Sequence, residues 1–335
     1  MPEPIPPSRP FHATVSRRGF IALGAGLVAA PHVLAQGAYP QRPVRMIVPN
    51  APGSSVDTIG RVYGAELGRI LGQAVVLDNR VGAAGAIGVE LARQAVTDGY
   101  TMLIGSSSAI AVAPLLQTAL KYQPLADFDY VALVAQLPNV LVCNPSLPVN
   151  SLRELIAYTA TKGGNSRMAS AGVGSSSHLA GLALQSAGNF KSLHVPYKGG
   201  AQGVASVVSG ETDWVLTPAP AAMGLVSSKR LRLLGHSMPP TAKPLGSTPS
   251  LGSELPGFEF SGWIGLMVPR GVSASVQGAL AKATDSALQS PEVLKAFDSN
   301  GAVPGTLRGE AFRKYVARDI EVNRKVVAMG GIKAE

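Results

Sequence analysis

Three turns that are rich in serine and glycine carry the residue types best suited to hold a small anion. They occupy residues 50–55, 105–108 and 170–177, and each follows a predicted strand and precedes a predicted helix. The first backbone N–H groups of a helix have no partner within it, and the helix dipole adds partial positive charge there. Glycine lets a ligand approach the backbone closely, and serine adds hydroxyl donors. The turns therefore predict anion binding at helix N-termini.

None of these turns contains lysine or arginine, which bears on how an anion would be held. Neutral dipoles would bind a carboxylate without desolvating a cation, so affinity would be moderate and release easy. The simpler interpretation is ordinary helix capping, with Ser55, Ser107 and Ser176 as the N-caps. Asp57, in the first turn of the first helix, could stabilise the helix dipole or contact the ligand, and the sequence leaves both roles open.

His178 lies two residues after Ser176, which offers a serine nucleophile as an alternative. The strained turn that presents such a serine has the pattern G-x-S-x-G, and residues 174–178 lack the second glycine. A triad histidine is also expected far from its serine in the sequence. His178 is better interpreted as a hydrogen-bonding residue beside the turn, and no catalytic residue is assigned.

Composition and spacing exclude several other kinds of site. The single cysteine, Cys143, cannot form an intrachain disulfide, and the histidines show no H-x-x-H or H-E-x-x-H spacing, so we expect no metal. The glycine-rich run at 24–29 matches a relaxed dinucleotide fingerprint but has no strand before it, so we expect no cofactor. The net charge of +9 is spread along the chain without a basic stripe, which predicts no nucleic-acid partner.

Residues 1–35 resemble a twin-arginine signal peptide. A polar lead is followed by the pair Arg17 and Arg18 and then by an apolar run over 20–30. This run is shorter than the ~20 residues that span a bilayer, and small residues favour cleavage after Ala35. We expect export to the periplasm, although the sequence leaves open whether the twin-arginine or the general secretory route is used.

Beyond this segment, short apolar strands alternate with amphipathic helices, as is typical of mostly parallel sheets covered on both faces. Strands are predicted at 44–49, 74–77, 101–104, 130–136, 140–143, 167–170, 193–196, 214–217, 231–236 and 258–268. Helices are predicted at 55–71, 87–96, 107–119, 151–162, 176–187, 201–208, 219–227, 274–289, 291–299 and 307–329.

The alternation starts afresh after residue 140, which predicts an α/β fold with two doubly wound lobes joined by a two-strand hinge. One lobe comprises 39–139 and 258–335, and the other comprises 140–257. Small ligands often bind between two such lobes, and hinge closure can enclose them. The sequence therefore predicts a bilobed clamshell.

Five motifs follow one another along the chain in the order of a known family. They are Tyr39-Pro40-x-Arg42-Pro43-Val44-Arg45-x-Ile47-Val48-Pro49, Ala51-Pro52-Gly53 with Asp57, Asp98-Gly99-Tyr100-Thr101, Ala169-Ser170-Ala171-Gly172 through His178-Leu179-Ala180, and His194-Val195-Pro196-Tyr197-Lys198-Gly199-Gly200. Together they resemble the Bug family, the substrate-binding proteins of tripartite tricarboxylate transporters. The resemblance implies a periplasmic binding protein of the type II clamshell class, not an enzyme, that delivers a small carboxylate to integral-membrane permease subunits.

The resemblance also implies which residues hold the ligand. Two turns would grip a carboxylate from opposite sides, partly through water. The residues implied for these turns are Ala51, Pro52, Gly53, Ser54, Asp57, Ala171, Gly172, Gly174, Ser175, Ser176 and His178. The remaining cleft would be lined by Ser106, Ser107, Asn139 and Thr217. Mono-, di- and tricarboxylates and aromatic acids all stay open as ligands.

Two other functions stay open as alternatives. One is an exported serine hydrolase that acts on a small ester. The other is the ligand-sensing effector module of a regulator, which the export signal and the lack of a terminal DNA-binding helix pair disfavour.

Overall fold

Two β-sheets form the framework of the part of the chain that the computed structural model describes, which is residues 1, 3–4, 39–241 and 244–332. The twin-arginine motif and the cleavage site after Ala35 lie outside the described residues, so both stay predictions.

The strands and helices follow one another as the alternating pattern predicts. The strands are β1 (Val44–Val48), β2 (Val75–Asn79), β3 (Thr101–Ser106), β4 (Phe128–Leu137), β5 (Asn139–Cys143), β6 (Arg167–Ser170), β7 (Leu193–Pro196), β8 (Trp214–Pro218), β9 (Arg232–His236), β10 (Gly262–Pro269) and β11 (Val303–Pro304). The helices are α1 (Ser55–Leu71), α2 (Ala86–Arg93), α3 (Ala113–Leu116), α4 (Pro124–Asp127), α5 (Leu152–Thr161), α6 (Ser176–Ala187), α7 (Gly200–Ser209), α8 (Met223–Ser227), α9 (Ala274–Leu288), α10 (Pro291–Ser299) and α11 (Gly309–Met329).

Strand order divides these elements between two lobes. Sheet 1 has the order β11-β4-β10-β3-β1-β2, and sheet 2 has the order β7-β6-β8-β5-β9. The chain passes from sheet 1 to sheet 2 between β4 and β5 and returns between β9 and β10. This is the α/β bilobed clamshell that the sequence predicts. The lobe boundaries at residues 139, 140, 257 and 258 stay a prediction.

Helices cover both faces of each sheet and supply its core. In α1, Ile59, Tyr63 and Leu67 recur every four residues and are fully buried against sheet 1. Sheet 2 is packed in the same way by α5 and α6 on one face and by α7 on the other. Cys143 is fully buried in this second core, where it packs as the small apolar residue that its isolation predicts.

Two predicted helices are interrupted, and proline accounts for both interruptions. The span 107–119 forms a π-helical turn at Ser108–Val112 and then the short α3, which begins around Pro114. The span 219–227 forms a 3-10 turn at Ala219–Ala221, which contains a proline, before α8. A proline has no N–H to donate and its ring crowds the carbonyl four residues earlier, so regular α-helical hydrogen bonding is disrupted near it.

Candidate functional site

The serine-rich turns lie at the edges of the two sheets where the chain crosses from one sheet to the other. Strands β1, β3 and β4 end at one edge of sheet 1, where the antiparallel β10 begins. Strands β6 and β8 end at one edge of sheet 2, where the antiparallel β5 begins. Since both crossings between the sheets start and end at these two edges, the turns that follow β1, β3 and β6 lie along one interlobe cleft.

The first turn is closed by a reciprocal pair of hydrogen bonds. The Ser54 hydroxyl accepts from the Asp57 N–H at 3.3 Å, and the Asp57 carboxylate accepts from the Gly53 N–H at 2.9 Å. Gly53 has φ +77°, a left-handed conformation that favours glycine. The N-cap of α1 is therefore Ser54, and the prediction that Ser55 caps the helix is wrong because the chain enters it one residue earlier.

The turn after β6 repeats this arrangement. The Ser175 hydroxyl accepts from the His178 N–H at 3.3 Å, and His178 Nδ1 accepts from the Gly174 N–H at 3.1 Å. Gly174 has φ +73°, and Ser175 has φ −69° and ψ 160°, against −69° and 163° for Ser54. The predicted cap Ser176 is likewise wrong by one residue. Two turns of the pattern Gly-Ser-x-x-Asp or Gly-Ser-x-x-His thus occupy facing edges in the same conformation.

The closed turns leave the same donors available at each helix start. Within the described residues, the N–H groups of Ser55 and Val56 in α1 and of Ser176 and Ser177 in α6 donate to no protein atom. The hydroxyls of Ser55 and Ser176 also have no protein partner there. Two helix N-termini therefore present unpaired donors, which is the chemistry that binds an anion. Sequence reasoning missed Ser55, Val56 and Ser177 as donors because it assigned each cap one residue late.

Asp57 is fully engaged with its own lobe. Arg61 donates to both carboxylate oxygens at 2.9 and 2.8 Å, and Asn79 donates to one of them at 2.9 Å. Burial alone would raise the pKa of Asp57, but the hydrogen bonds from Arg61, Gly53 and Asn79 outweigh it and lower that pKa. The ionised carboxylate offers acceptors only, so Asp57 shapes the turn and Arg61 balances its charge.

His178 is a neutral counterpart of Asp57 in the other lobe. Its ring stacks on that of His194, with centroids 3.8 Å apart and planes 9° apart. Burial, with a further contribution from the charge of His194, lowers the pKa of His178 to about 4. His194 Nε2 lies 2.6 Å from the hydroxyl of the fully buried Ser170. Among the described residues no carboxylate contacts either ring, so these groups do not form a Ser–His–Asp triad.

The turn after β3 is tied to the C-terminal helix. Ser107 donates its hydroxyl to Asp319 at 2.8 Å, and Trp263 Nε1 donates to the same oxygen at 2.7 Å. Ser107 occupies the N-cap position before the π-helical turn, as the sequence predicts, but its side chain makes no capping hydrogen bond because it turns toward α11. Burial raises the pKa of Asp319 despite the bonds from Trp263, Ser107 and Asn323. The Ser106 hydroxyl lies 3.1 Å from that of Ser108 and accepts from the Ala109 N–H.

Asn139 and Thr217 lie where β5 and β8 meet at the cleft edge. Asn139 is fully buried, its N–H donates to the Ser237 hydroxyl at 2.9 Å, and its Nδ2 donates to the Phe260 carbonyl at 2.5 Å. Asn139 Oδ1 accepts no hydrogen bond in the described part of the chain. Thr217 is 1% exposed and lies opposite Val140 in the strand pair. Both predicted residues are thus placed at the cleft edge, next to the hinge.

The remaining predicted residues belong to the two matching turns. Ala51 and Pro52 are exposed, whereas Ala171 and Gly172 are partly buried. The Ala171 N–H donates to the Ser177 hydroxyl at 2.9 Å. Leu116 of the first lobe lies against Gly174, so close that a Cβ at Gly174 would lie 2.2 Å from Leu116 Cδ1. The lobes therefore touch beside the turn that follows β6.

Features outside the cleft bear on other functions. A surface pocket of about 770 Å³ lies on the first lobe, with Arg270, Arg313 and Arg324 among its lining residues and none of the turn residues. The described residues contain no cluster of histidine, cysteine and acidic side chains that could hold a metal ion. Across the same residues, none of the helices has the length and apolar character needed to cross a bilayer.

Comparisons with known proteins match most of the chain. A family model described as tripartite tricarboxylate transporter family receptor matches residues 59–331. Protein BugT of Bordetella pertussis is 34% identical over 309 residues, which are 91% of this chain and 94% of that protein. The structure of R. palustris Rpa4515 with adipate has a TM-score of 0.82 and 28% identity, covering 89% of this chain and 100% of that one. MatC from Rhodopseudomonas palustris with bound malate has a TM-score of 0.77 and 27% identity, covering 86% and 100%.

Proposed function

Because the chain belongs to the tripartite tricarboxylate transporter receptor family, we propose that it captures a small carboxylate between its lobes in the periplasm and delivers it to integral-membrane permease subunits. Family membership confirms the resemblance carried by the sequence motifs, and the family is described as one of transporter receptors. The observation that carries the proposal is the pair of matching turns, one on each facing sheet edge. The bound adipate and malate of two similar structures support a small acid as the ligand.

The unpaired N–H groups provide the mechanism. Ser55 and Val56 would donate to a carboxylate from the first lobe, and Ser176 and Ser177 would donate from the second. A ligand that joins both helix N-termini stabilises the closed form, since it can satisfy both sets of donors only when the lobes approach. Asp57 and His178 hold the turns in the conformation that leaves these donors free.

Proline substitution tests these donors one at a time. Ser55 and Ser176 occupy the first helical position, where proline fits the backbone and removes the N–H together with the serine hydroxyl. The chain already uses this arrangement, since Pro291 directly follows the cap Ser290. Hydrogen bonds to charged groups contribute about 1.5–3 kcal/mol, so Ser55→Pro and Ser176→Pro should each weaken acid binding about tenfold or more in calorimetry.

Alanine provides the matched control at both positions. Ser55→Ala and Ser176→Ala remove the hydroxyl but keep the N–H, so they should weaken binding less than the proline variants do. If each proline variant binds as tightly as its alanine counterpart, the backbone does not hold the ligand. An ester-hydrolysis assay on the same samples tests the alternative function, an exported serine hydrolase. If the wild-type protein hydrolyses the ester and Ser176→Ala does not, the protein is a serine hydrolase.

Export is the second part of the proposal. N-terminal sequencing of protein recovered from the periplasm should begin at Gln36, if cleavage follows Ala35 as the small residues there predict. Recovery of an uncleaved chain from the membrane fraction would contradict it.

A further inference from the structure

The cleft edge contains a buried hydrogen-bond acceptor with no donor. Asn139 is fully buried and its Oδ1 is without a donor among the described residues, while its Nδ2 is held by the Phe260 carbonyl at 2.5 Å. The bond from Nδ2 fixes which way the amide points. Burying a polar atom without a partner destabilises a protein, so such an atom calls for an explanation.

The position of Asn139 relates this acceptor to the proposed carboxylate site. Asn139 begins β5 at the edge where β6 and β8 end. Side chains alternate along a strand, so Asn139 lies on the same face of sheet 2 as Leu141, which packs with Ala180 and Leu184 of α6. The first turn of that same helix carries the unpaired N–H groups of the second lobe.

The hinge and the start of α6 are also in close proximity. A Cβ placed on Gly262 would lie 3.9 Å from the Leu137 Cβ and 4.0 Å from the Ser176 hydroxyl. Leu137 is the last residue of β4, and Asn139, two residues later, is the first residue of β5 in the other sheet. The acceptor of Asn139 and the donors of Ser176 and Ser177 therefore lie around one end of the cleft.

We propose that the natural ligand is a small acid that carries a hydroxyl or amide N–H donor close to its carboxylate, and that Asn139 Oδ1 accepts from that donor. This inference rests on the proposed function. The backbone N–H donors alone would bind any carboxylate. A buried acceptor without a partner beside them strengthens the binding of a ligand that donates a hydrogen bond to it. Asn139 is then the residue that distinguishes a hydroxylated or amide-bearing acid from its unsubstituted analogue.

Matched acids test the preference in the wild-type protein. Calorimetry compares succinate with malate and glutarate with 2-hydroxyglutarate, two pairs of equal charge in which one member adds a hydroxyl donor next to a carboxylate. We expect the donor-bearing acid to bind at least tenfold more tightly in a pair that binds. Equal or tighter binding of the unsubstituted acid in every pair that binds would overturn the inference while leaving the proposed function intact. Binding by no acid would overturn both.

Two variants then assign the preference to Asn139. Asn139→Leu keeps the side-chain size and removes Oδ1, so it should reduce the ratio of the two affinities to about one while the unsubstituted acid still binds. Ser237→Ala is the matched control, since it removes the hydroxyl that bonds to both Asn139 N–H and the Phe260 carbonyl but leaves Oδ1 in place. It should lower the melting temperature and keep the affinity ratio. An unchanged ratio in Asn139→Leu would overturn the assignment.

Discussion

Lowering the pH should destabilise the protein through His178 in a predictable window. Burial beside His194 lowers the pKa of His178 from 6.5 to about 4. Between these two values the unfolded chain binds a proton at His178 and the folded chain does not, so stability falls as the pH is lowered through this window. The contribution of the neutral His178 ring to the unfolding free energy is fully present above pH 6.5 and is lost as the pH falls to about 4.

The magnitude follows from the difference between the two pKa values. That difference corresponds to about 3 kcal/mol over the whole window. Between pH 7 and pH 5, and with solvent screening of the ring pair, about 1–2 kcal/mol should remain. His178→Asn removes the titration, and its amide oxygen can accept from the Gly174 N–H in the same way as Asp57 accepts from the Gly53 N–H.

Denaturant unfolding at pH 7 and pH 5 measures this contribution. The wild-type protein should lose about 1–2 kcal/mol more unfolding free energy than His178→Asn over this interval, since all other titrating groups are shared. Between pH 8 and pH 7 the two proteins should change equally, which serves as the control. Equal losses between pH 7 and pH 5 would refute the assignment of a neutral, buried His178.

Three further predictions concern the turns. Asp57→Ala should lower the unfolding free energy by about 2–3 kcal/mol and weaken acid binding, because the Gly53 N–H and Arg61 lose the carboxylate that accepts from both; an unchanged urea midpoint would contradict this. Gly174→Ala and Gly53→Ala both introduce a backbone strain of about 1–2 kcal/mol, but only Gly174→Ala should hinder closure and weaken acid binding, because its new methyl group meets Leu116. Adding Leu116→Ala to Gly174→Ala should restore binding; equal affinities of Gly174→Ala and Gly53→Ala in calorimetry would contradict this steric explanation. Raising salt to about 0.15 M should change affinity less than about threefold, because no side-chain ion pair is screened; a tenfold loss would show that a cation reaches the ligand.

Much of the fold follows from local patterns. The bounds predicted for α1, β6, α6 and β7 agree with the structure, because serine, glycine and other turn-forming residues mark the ends of these elements. The helix predicted at 107–119 is shorter than expected and partly π-helical, over 108–116, because proline disrupts the regular hydrogen bonds that the local pattern predicts.

The candidate site could be predicted only in part. Composition locates the turns, but the choice of cap depends on the backbone conformation of Gly53 and Gly174, which places the N-cap one residue earlier than predicted. The contact of Ser107 with Asp319 spans 212 residues, so no local signal could have found it. The repeated spacing of glycine, serine and a third side chain was present in the sequence and could have indicated that the two turns match.

Amide chemical-shift titration with the tightest-binding acid of the panel tests the central claim most directly. We predict that the N–H signals of Ser55, Val56, Ser176 and Ser177 shift together in one saturable process, since a single carboxylate ligand engages both helix N-termini. Shifts confined to one turn, or centred on the arginine-lined pocket of the first lobe, would contradict it.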